Sequence, residues 1–586
     1  MEQGLREKVG QLFMVGFDAL QADEHIKTLI REKKVGGVIL FRRNVHTPAQ
    51  VSALCRELQE NTRKEGGRRD PVPPQRAHAC ASVRPIREKK VGGVILFRRN
   101  VHTPAQVSAL CRELQEINAE VSDIPLLISI DQEGGMVMRI EQGVTPIPAA
   151  MAFQAAGSVE DCERMNQISG DEAGSIDDCE RMNQISGDEM RQVGINMLLA
   201  PVLDVNNNRN NPVIGVRAYG EDAATVIDYG MAAMRGQRAS GVAVTAKHFP
   251  GHGDTATDTH YAMALVPHDK ERLRAVELAP FRAAIAGGVD AIMTAHVVFP
   301  AFEADTSVPA TLSKGVLTDL LRGELKYQGV VITDCLEMAA IADGVGIAQG
   351  AIATLQAGAD IVLISHREAQ QTAAIDAVIA AVERGDIAVS RIDAACARVA
   401  ELKRNRAVRD WRERPVNPPA LMQPAAMALS QLLQKAALRV QGDYRPLDAS
   451  LPVVLLTVEV RSRSEIDEVA LGRNKEARSS MLPALLEAGL DVREYALSAE
   501  ALDDEVNEAI AFAQGARQIV LQTYNAMFVD GQRRLVDALP QDKLWLVAGR
   551  LPYDLDLAPD AQGRLAAFGC RPAALVPVVD KLAGKA

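Results

Sequence analysis

The chain has no stretch approaching the roughly 18 to 20 uninterrupted apolar residues that a membrane-spanning helix needs. It also lacks an excess of basic residues. With 65 Lys and Arg against 76 Asp and Glu, the formal net charge is −11. That balance argues against general binding to a phosphate backbone, which requires clustered cations. There are eight cysteines but no CxxC pair and no metal-type clustering, so they read as thiols in a reducing compartment. The N-terminus, MEQGLREKVGQLF, has charges within its first eight residues and no apolar core of signal-peptide length, which makes the cytoplasm the expected location. Aromatic residues make up only 4% of the chain, yet 47% is hydrophobic, too much for disorder to dominate. A chain of 586 residues exceeds one ordinary core and implies two domains.

Two blocks occur twice. Residues 30–60, IREKKVGGVILFRRNVHTPAQVSALCRELQE, recur letter for letter at 86–116, and DCERMNQISGDE occurs at 161–172 and 178–189. Solenoid repeats are degenerate and come in threes or more. Identical pairs instead indicate a recent tandem duplication or a defect in the reading of the gene. The Arg- and Pro-rich stretch between the long copies has no apolar period and reads as a linker. Only one copy of each block is expected to occupy the fold, with the other extruded.

Short apolar, β-branched runs alternate with amphipathic helical stretches. They are QLFMVGF (11–17), GGVILF (36–41 or its copy at 92–97), LLISID (126–131), MLLAPVLDV (197–205), VAVTAKHF (242–249), AIMTAHVVF (291–299), VVITD (330–334) and IVLIS (361–365). Continuous apolar runs suit strands buried on both faces, and alternation with helices implies parallel βαβ units. Eight such units predict a (β/α)8 TIM-type barrel over residues 1–410, with inserted duplications near 61–116 and 173–189. A Pro-rich linker follows at 411–427. Further strand-like runs at 452–460, 491–497, 518–524 and 543–549 predict a smaller α/β C-terminal domain over 428–586.

Polar residues collect where these strands end: Asp131, Asp204, Lys247, His248, His296 and Asp334. In a parallel barrel that rim carries the active site. A lone Thr-Asp after a strand, as at Asp334, reads as a helix cap when taken by itself. A carboxylate fixed at a strand end can also attack a sugar anomeric carbon and form a covalent glycosyl-enzyme. In AKHFPGHGDTATDTH (246–260), Lys247 and His248 are placed to donate to sugar hydroxyls. The i, i+2 spacing there lets Asp258 orient His260. His248, His252, Asp254, Asp258 and His260 are also potential metal ligands. No HExxH-type helical spacing supports that alternative, and neither a metal nor a cofactor is expected. In LLISIDQEGGMVMRI (126–140), Asp131 can accept from vicinal hydroxyls and Arg139 follows. NPVIGVRAYG (211–220) puts Arg217 in a loop.

Together these segments resemble glycoside hydrolase family 3, and most of all its bacterial β-N-acetylglucosaminidases (β-hexosaminidases). The pattern KH(F/I)PGxGxxxxD(S/T)H stands complete as KHFPGHGDTATDTH, with DQEGG, VIGxR and ITDxLxM in the family's order. The resemblance implies a retaining β-N-acetylglucosaminidase, exo-acting on GlcNAc glycosides from cell-wall muropeptides. In it Asp334 is the nucleophile, His260 the acid/base with Asp258 as its partner, and Asp131, Arg139, Arg217, Lys247 and His248 bind substrate. The expected partner is a small carbohydrate, with no nucleic acid or membrane. Met136 departs from the pattern, since many relatives carry Arg after the paired glycines. The alternatives are a phosphorylase or β-glucosidase using the same residues, or a non-catalytic sugar-binding barrel disrupted by duplication.

Overall fold

The β-branched runs form strands because Val and Ile pack well on a pleated surface buried on both sides. In the computed structural model the described residues are 4–5, 8–9, 12–17, 38–40, 93–96, 101, 103–118, 125, 127–157, 174–257, 263–364, 368–406, 411–412, 418, 421–459 and 480–585. The strands of the first half are β1 (Phe13–Phe17), β2 (Val38–Leu40), β3 (Gly93–Leu96), β4 (Leu127–Ile130), β5 (Gln132–Gly134), β6 (Val137–Met138) and β7 (Met197–Leu198). They continue with β8 (Ala243–Phe249), β9 (Ala264–Leu265), β10 (Ala291–Thr294), β11 (Val297–Val298), β12 (Val330–Cys335) and β13 (Ile361–Ile364). Nine of them make one curled sheet in the order β2-β1-β13-β12-β10-β8-β7-β4-β3, in which every pairing is parallel. The antiparallel β5–β6 ribbon and the parallel β9–β11 pair stand apart from it.

Alternation along the strands divides the core. Leu127, Met197, Ala243, Ala291, Met293, Val330, Ile332 and Leu363 form one apolar cluster on the inner face, joined by Leu402 of the helix Val389–Arg406. Their neighbours Val244, Ile292 and Val331 face the other way, into a helix-lined cluster with Phe249, Phe281 and Leu317. This is the period-two signature of a sheet with both faces covered.

Three expectations are corrected. The duplicated strand was expected once, with its copy extruded. Instead β2 pairs with β1 at one end of the sheet, and its sequence copy β3 pairs with β4 at the other. The sheet therefore has nine strands rather than eight, and its two edges carry the same sequence. Secondly, MLLAPVLDV is regular strand only at Met197–Leu198, although its backbone stays bonded to β8 beyond them, the Thr245 and Lys247 N–H groups donating to the carbonyls of Ala200 and Pro201 at 2.9 and 3.2 Å. The run ends in a bridge between Val202 and Lys247. Thirdly, the range 411–427 expected as linker overlaps a helix that begins at Pro424 and runs to Ala437. Proline suits that first turn, where its missing N–H costs nothing. Of the second duplication, the copy at 178–189 lies in the helix Ile176–Gln192, capped by Ser175 and Asp178 in a reciprocal box. The copy at 161–172 falls outside the described residues.

The second half forms a separate six-stranded sheet from β14 (Arg439–Gln441), β15 (Val453–Glu459), β16 (Val492–Ser498), β17 (Gln518–Thr523), β18 (Leu544–Ala548) and β19 (Gly563–Ala566). Its order is β14-β19-β18-β17-β15-β16, parallel except for β14. One apolar core joins this sheet to the first half. Val454, Leu456, Ile519 and Leu546 pack with Leu433 and with Phe153 and Met182. Among the described residues, no helix is long and apolar enough to cross a membrane.

Candidate active site

Asp131 is the first residue after β4, and the chain stays extended through β5. Residues two apart on an extended chain share a face, so Asp131 and Glu133 point the same way. Lys247, near the end of β8, reaches both. Its Nζ lies 3.0 Å from Asp131 Oδ1 and 2.6 Å from Glu133 Oε1. Arg217 closes on Glu133 with Nε at 2.8 Å and Nη2 at 2.9 Å, a two-pronged pair. Arg139 Nη2 approaches Asp131 Oδ2 at 3.3 Å. The structure thus brings Asp131, Arg139, Arg217 and Lys247 into one ionic cluster, with Glu133 at its centre.

Burial alone would favour the neutral carboxyls. The cations reverse that, so Glu133 is held far below the usual carboxylate range by Arg217 and Lys247, and Asp131 is lowered by Lys247 and Arg139. Burial works against the Lys247 ammonium too, but Asp131 and Glu133 outweigh it and raise its pKa. Three cations face two carboxylates, so the cluster carries one net positive charge.

His248 pairs with a different carboxylate. Its Nδ1 is 2.7 Å from Asp204 Oδ2, and the backbone N–H groups of His248 and His252 also donate to Asp204, at 3.2 and 2.7 Å to Oδ1. Asp204 is fully buried, yet these contacts lower its pKa against the burial effect. That leaves the Nε2 edge of His248 as the outward one. The peptides Lys247–His248 and Phe249–Pro250 are both cis.

Asp334 lies in β12, half-buried, and its Oδ1 accepts from the Cys335 N–H at 2.8 Å. Only β10 separates β12 from β8, which puts their axes about 10 Å apart by ordinary strand spacing. His296, after β10, is tied to Thr311 Oγ1 at 2.8 Å and to the Cys335 carbonyl at 2.9 Å, so it braces the segment carrying Asp334. Asp258 and His260 lie outside the described residues. The loop that leads to them is described as far as Thr257. Asn211 anchors it by donating to the carbonyls of His252 and Gly253 at 2.8 and 2.9 Å.

Sequence reasoning missed Glu133. The signal was present in DQEGG, two positions beyond Asp131 on the same face, in a fold that supplies three nearby cations. It also left the Met136 departure unexplained. Met136 is buried in an apolar cluster with Val458, Ala499, Tyr524 and Cys570, and the guanidinium facing Glu141 comes from Arg571 at 2.7 Å. Among the described residues one group has metal-ligand types close together: Asp254, His268 and Glu277. Its charges are already engaged, since His268 Nε2 meets Asp254 Oδ2 at 2.6 Å and Arg272 pairs with Glu277 at 2.9 Å.

A pH dependence follows from the second coordination of Asp204. Burial pushes the His252 imidazole down to about 4, against the pull of the Asp204 carboxylate. The folded chain refuses a proton that the unfolded chain accepts near pH 6.5, so stability falls between about pH 6.5 and 4, by about 3 kcal/mol at the lower end. Asp131, Glu133 and Asp204 have depressed values, so their contribution is lost only below about pH 4, while Asp554, raised by burial, works against the histidine within the window. Denaturation midpoints measured from pH 7 to 4 should decline in the native chain and decline less in His252→Gln. Equal slopes would refute the assignment.

Residues 74–402 match the model of the glycosyl hydrolase family 3 N terminal domain. The chain is 37% identical over 335 residues to beta-hexosaminidase A of Pseudoalteromonas piscicida, covering 53% of each, so it spans about half the length of that relative. It is 36% identical over 283 residues to the beta-hexosaminidase of Stenotrophomonas maltophilia strain R551-3, covering 48% of this chain and 78% of the other. A solved glycoside hydrolase family 3 beta-N-acetylglucosaminidase from Paenibacillus sp. strain FPU-7 superposes with a TM-score of 0.77 at 39% identity, covering 99% of this chain and 97% of that one. The match to the family model covers more than half of the chain, and the chain belongs to glycosyl hydrolase family 3.

Proposed function

We propose that the chain is an exo-acting β-N-acetylglucosaminidase that works with retention through a glycosyl-Asp334 intermediate. The observation that carries the reading is the ionic cluster at the strand ends. Asp131 is kept ionised by Lys247 and Arg139, a carboxylate that can accept from two vicinal hydroxyls. Beside it, on β8, begins the KHFPGHGDTATDTH segment, and the names of the relatives point to the same sugar.

In this mechanism Asp334 attacks the anomeric carbon while protonated His260 gives its proton to the departing oxygen. The C–O bond to the leaving group breaks as the C–O bond to Asp334 forms. Neutral His260, oriented by Asp258, then takes a proton from water, whose oxygen displaces Asp334. Histidine suits both roles because its unperturbed pKa is about 6.5. Lys247, Arg217, Arg139 and the outward edge of His248 donate to sugar oxygens. The wider reading comprises a GlcNAc-muropeptide substrate, a cytoplasmic setting, a catalytic domain over residues 1–410 and a C-terminal domain over 428–586.

Product analysis tests it. A GlcNAc–anhydromuramyl substrate should release free GlcNAc at the same rate with and without phosphate. Accumulation of a GlcNAc-1-phosphate would make the chain a phosphorylase, and no cleavage in either buffer would favour a sugar-binding barrel.

A further inference from the structure

The second sheet reaches the substrate cluster through hydrogen bonds joined by one short stretch of backbone, the turn Gly215–Arg217. Tyr553 sits in the 3-10 turn Pro552–Leu557 that follows β18 and is buried against the first half of the chain. Its hydroxyl accepts from Asn206 Nδ2 at 3.0 Å and donates to the Glu221 carboxylate. Burial and Glu221 raise the pKa of this phenol, so it keeps the proton that the Glu221 bond needs. With Nδ2 committed to Tyr553, the Asn206 amide is held one way round. Its Oδ1 then accepts from the Gly215 N–H at 3.1 Å.

Gly215 opens the turn Gly215–Arg217 that delivers Arg217 to Glu133. It has φ +49, and a Cβ there would lie 2.5 Å from Leu551 Cδ2, so the second half of the chain is packed directly against this turn. From Glu133 the series runs through Lys247 to Asp131. An exposed ion pair, Arg209 to Asp556 at 2.7 Å, lies beside the path without forming part of it.

We infer that Tyr553 is a positioning residue for substrate binding: through Asn206 and the Gly215 turn it sets Arg217, and so links the second sheet to the sugar site. The inference rests on the proposed glycosidase reading. It gives a function to a residue well beyond the 74–402 segment matched by the family model. Tyr553→Phe keeps the ring and its stacking under Arg209, 4.4 Å away, and removes only the hydroxyl.

Kinetics on a chromogenic N-acetylglucosaminide test this in the full-length chain. Loss of one buried hydrogen-bond anchor is worth about tenfold in affinity. Tyr553→Phe should therefore raise KM about tenfold, keep kcat within about twofold and barely move the unfolding midpoint. Asn206→Ala should raise KM similarly, and the double variant no further, because both cut the same series. Asp556→Ala, which breaks the neighbouring ion pair, should leave KM as it was. An unchanged KM in Tyr553→Phe overturns the inference. So does an equal rise in Asp556→Ala, which would mean general loosening of the interface, or a loss confined to the unfolding midpoint. If the unsubstituted chain does not turn over the glycoside at all, the proposed activity falls and the inference falls with it.

Discussion

Asp334→Ala is expected to lower kcat on a chromogenic N-acetylglucosaminide by roughly 10⁴-fold or more, the scale on which losing a covalent nucleophile is felt. The carboxylate is half-buried at the end of β12 and is oriented by the Cys335 N–H at 2.8 Å. Cutting it back to a methyl leaves the strand ladder intact, so the unfolding midpoint should stay near that of the native chain. The space left behind admits a small anion to the same face of the sugar. Azide should therefore restore turnover and yield the inverted glycosyl azide, because one displacement now replaces two. His260→Ala should respond differently. The acid step matters most for poor leaving groups, so its loss should be mild on an activated aryl glycoside and severe on a disaccharide. A near-normal rate in Asp334→Ala, or azide rescue with retained configuration, would rule Asp334 out as nucleophile.

The strand ends were legible because two physical signals coincide there. An apolar run long enough to cross a sheet stops, and a charged residue follows. Asp131, Lys247, His248 and Asp334 all have that form, and the structure sets each at a strand end. Arg217 and Arg139 were legible only through their motifs, since neither belongs to a main-sheet strand. Glu133 was not read at all. Its role depends on Lys247 and Arg217, which lie 114 and 84 residues further along the chain, and nothing local to DQEGG reveals them. The same limit hid Asn206 and Tyr553, whose contact bridges 347 residues. Local pattern identifies the elements and the groups at their tips. It does not say which buried charges must neutralise one another, and that pairing keeps Lys247 ionised in a site where burial opposes it.

The placement of the duplicated strand was misjudged for a related reason. The expectation that only one copy could fit assumed a sheet closed by a single second strand. Yet β2 and β3 each supply backbone groups that pair with β1 or β4, and identical sequences have equal claims on that place. Each copy then satisfies one neighbour, and β2 and β3 lie side by side without a ladder joining them, whereas a closed barrel would bond that seam. Deleting residues 30–85 should resolve the competition. The product is the same chain as deletion of 61–116, because the two copies are identical. One strand would then pair with β1 and β4 together and close an eight-stranded ring. Removing a 56-residue excursion saves a loop-closure cost of about 3.5 kcal/mol, (3/2)RT ln n for that length. The unfolding midpoint should rise by roughly 3 °C. The shortened chain should also aggregate less on heating, because both sheet edges are gone. Its kcat/KM should equal or exceed that of the long chain, because β4 carries Asp131 and Glu133 at its end and β3 is the strand beside it. A lower midpoint, or loss of activity on deletion, would show that both copies are needed and that the nine-stranded sheet is itself the working architecture.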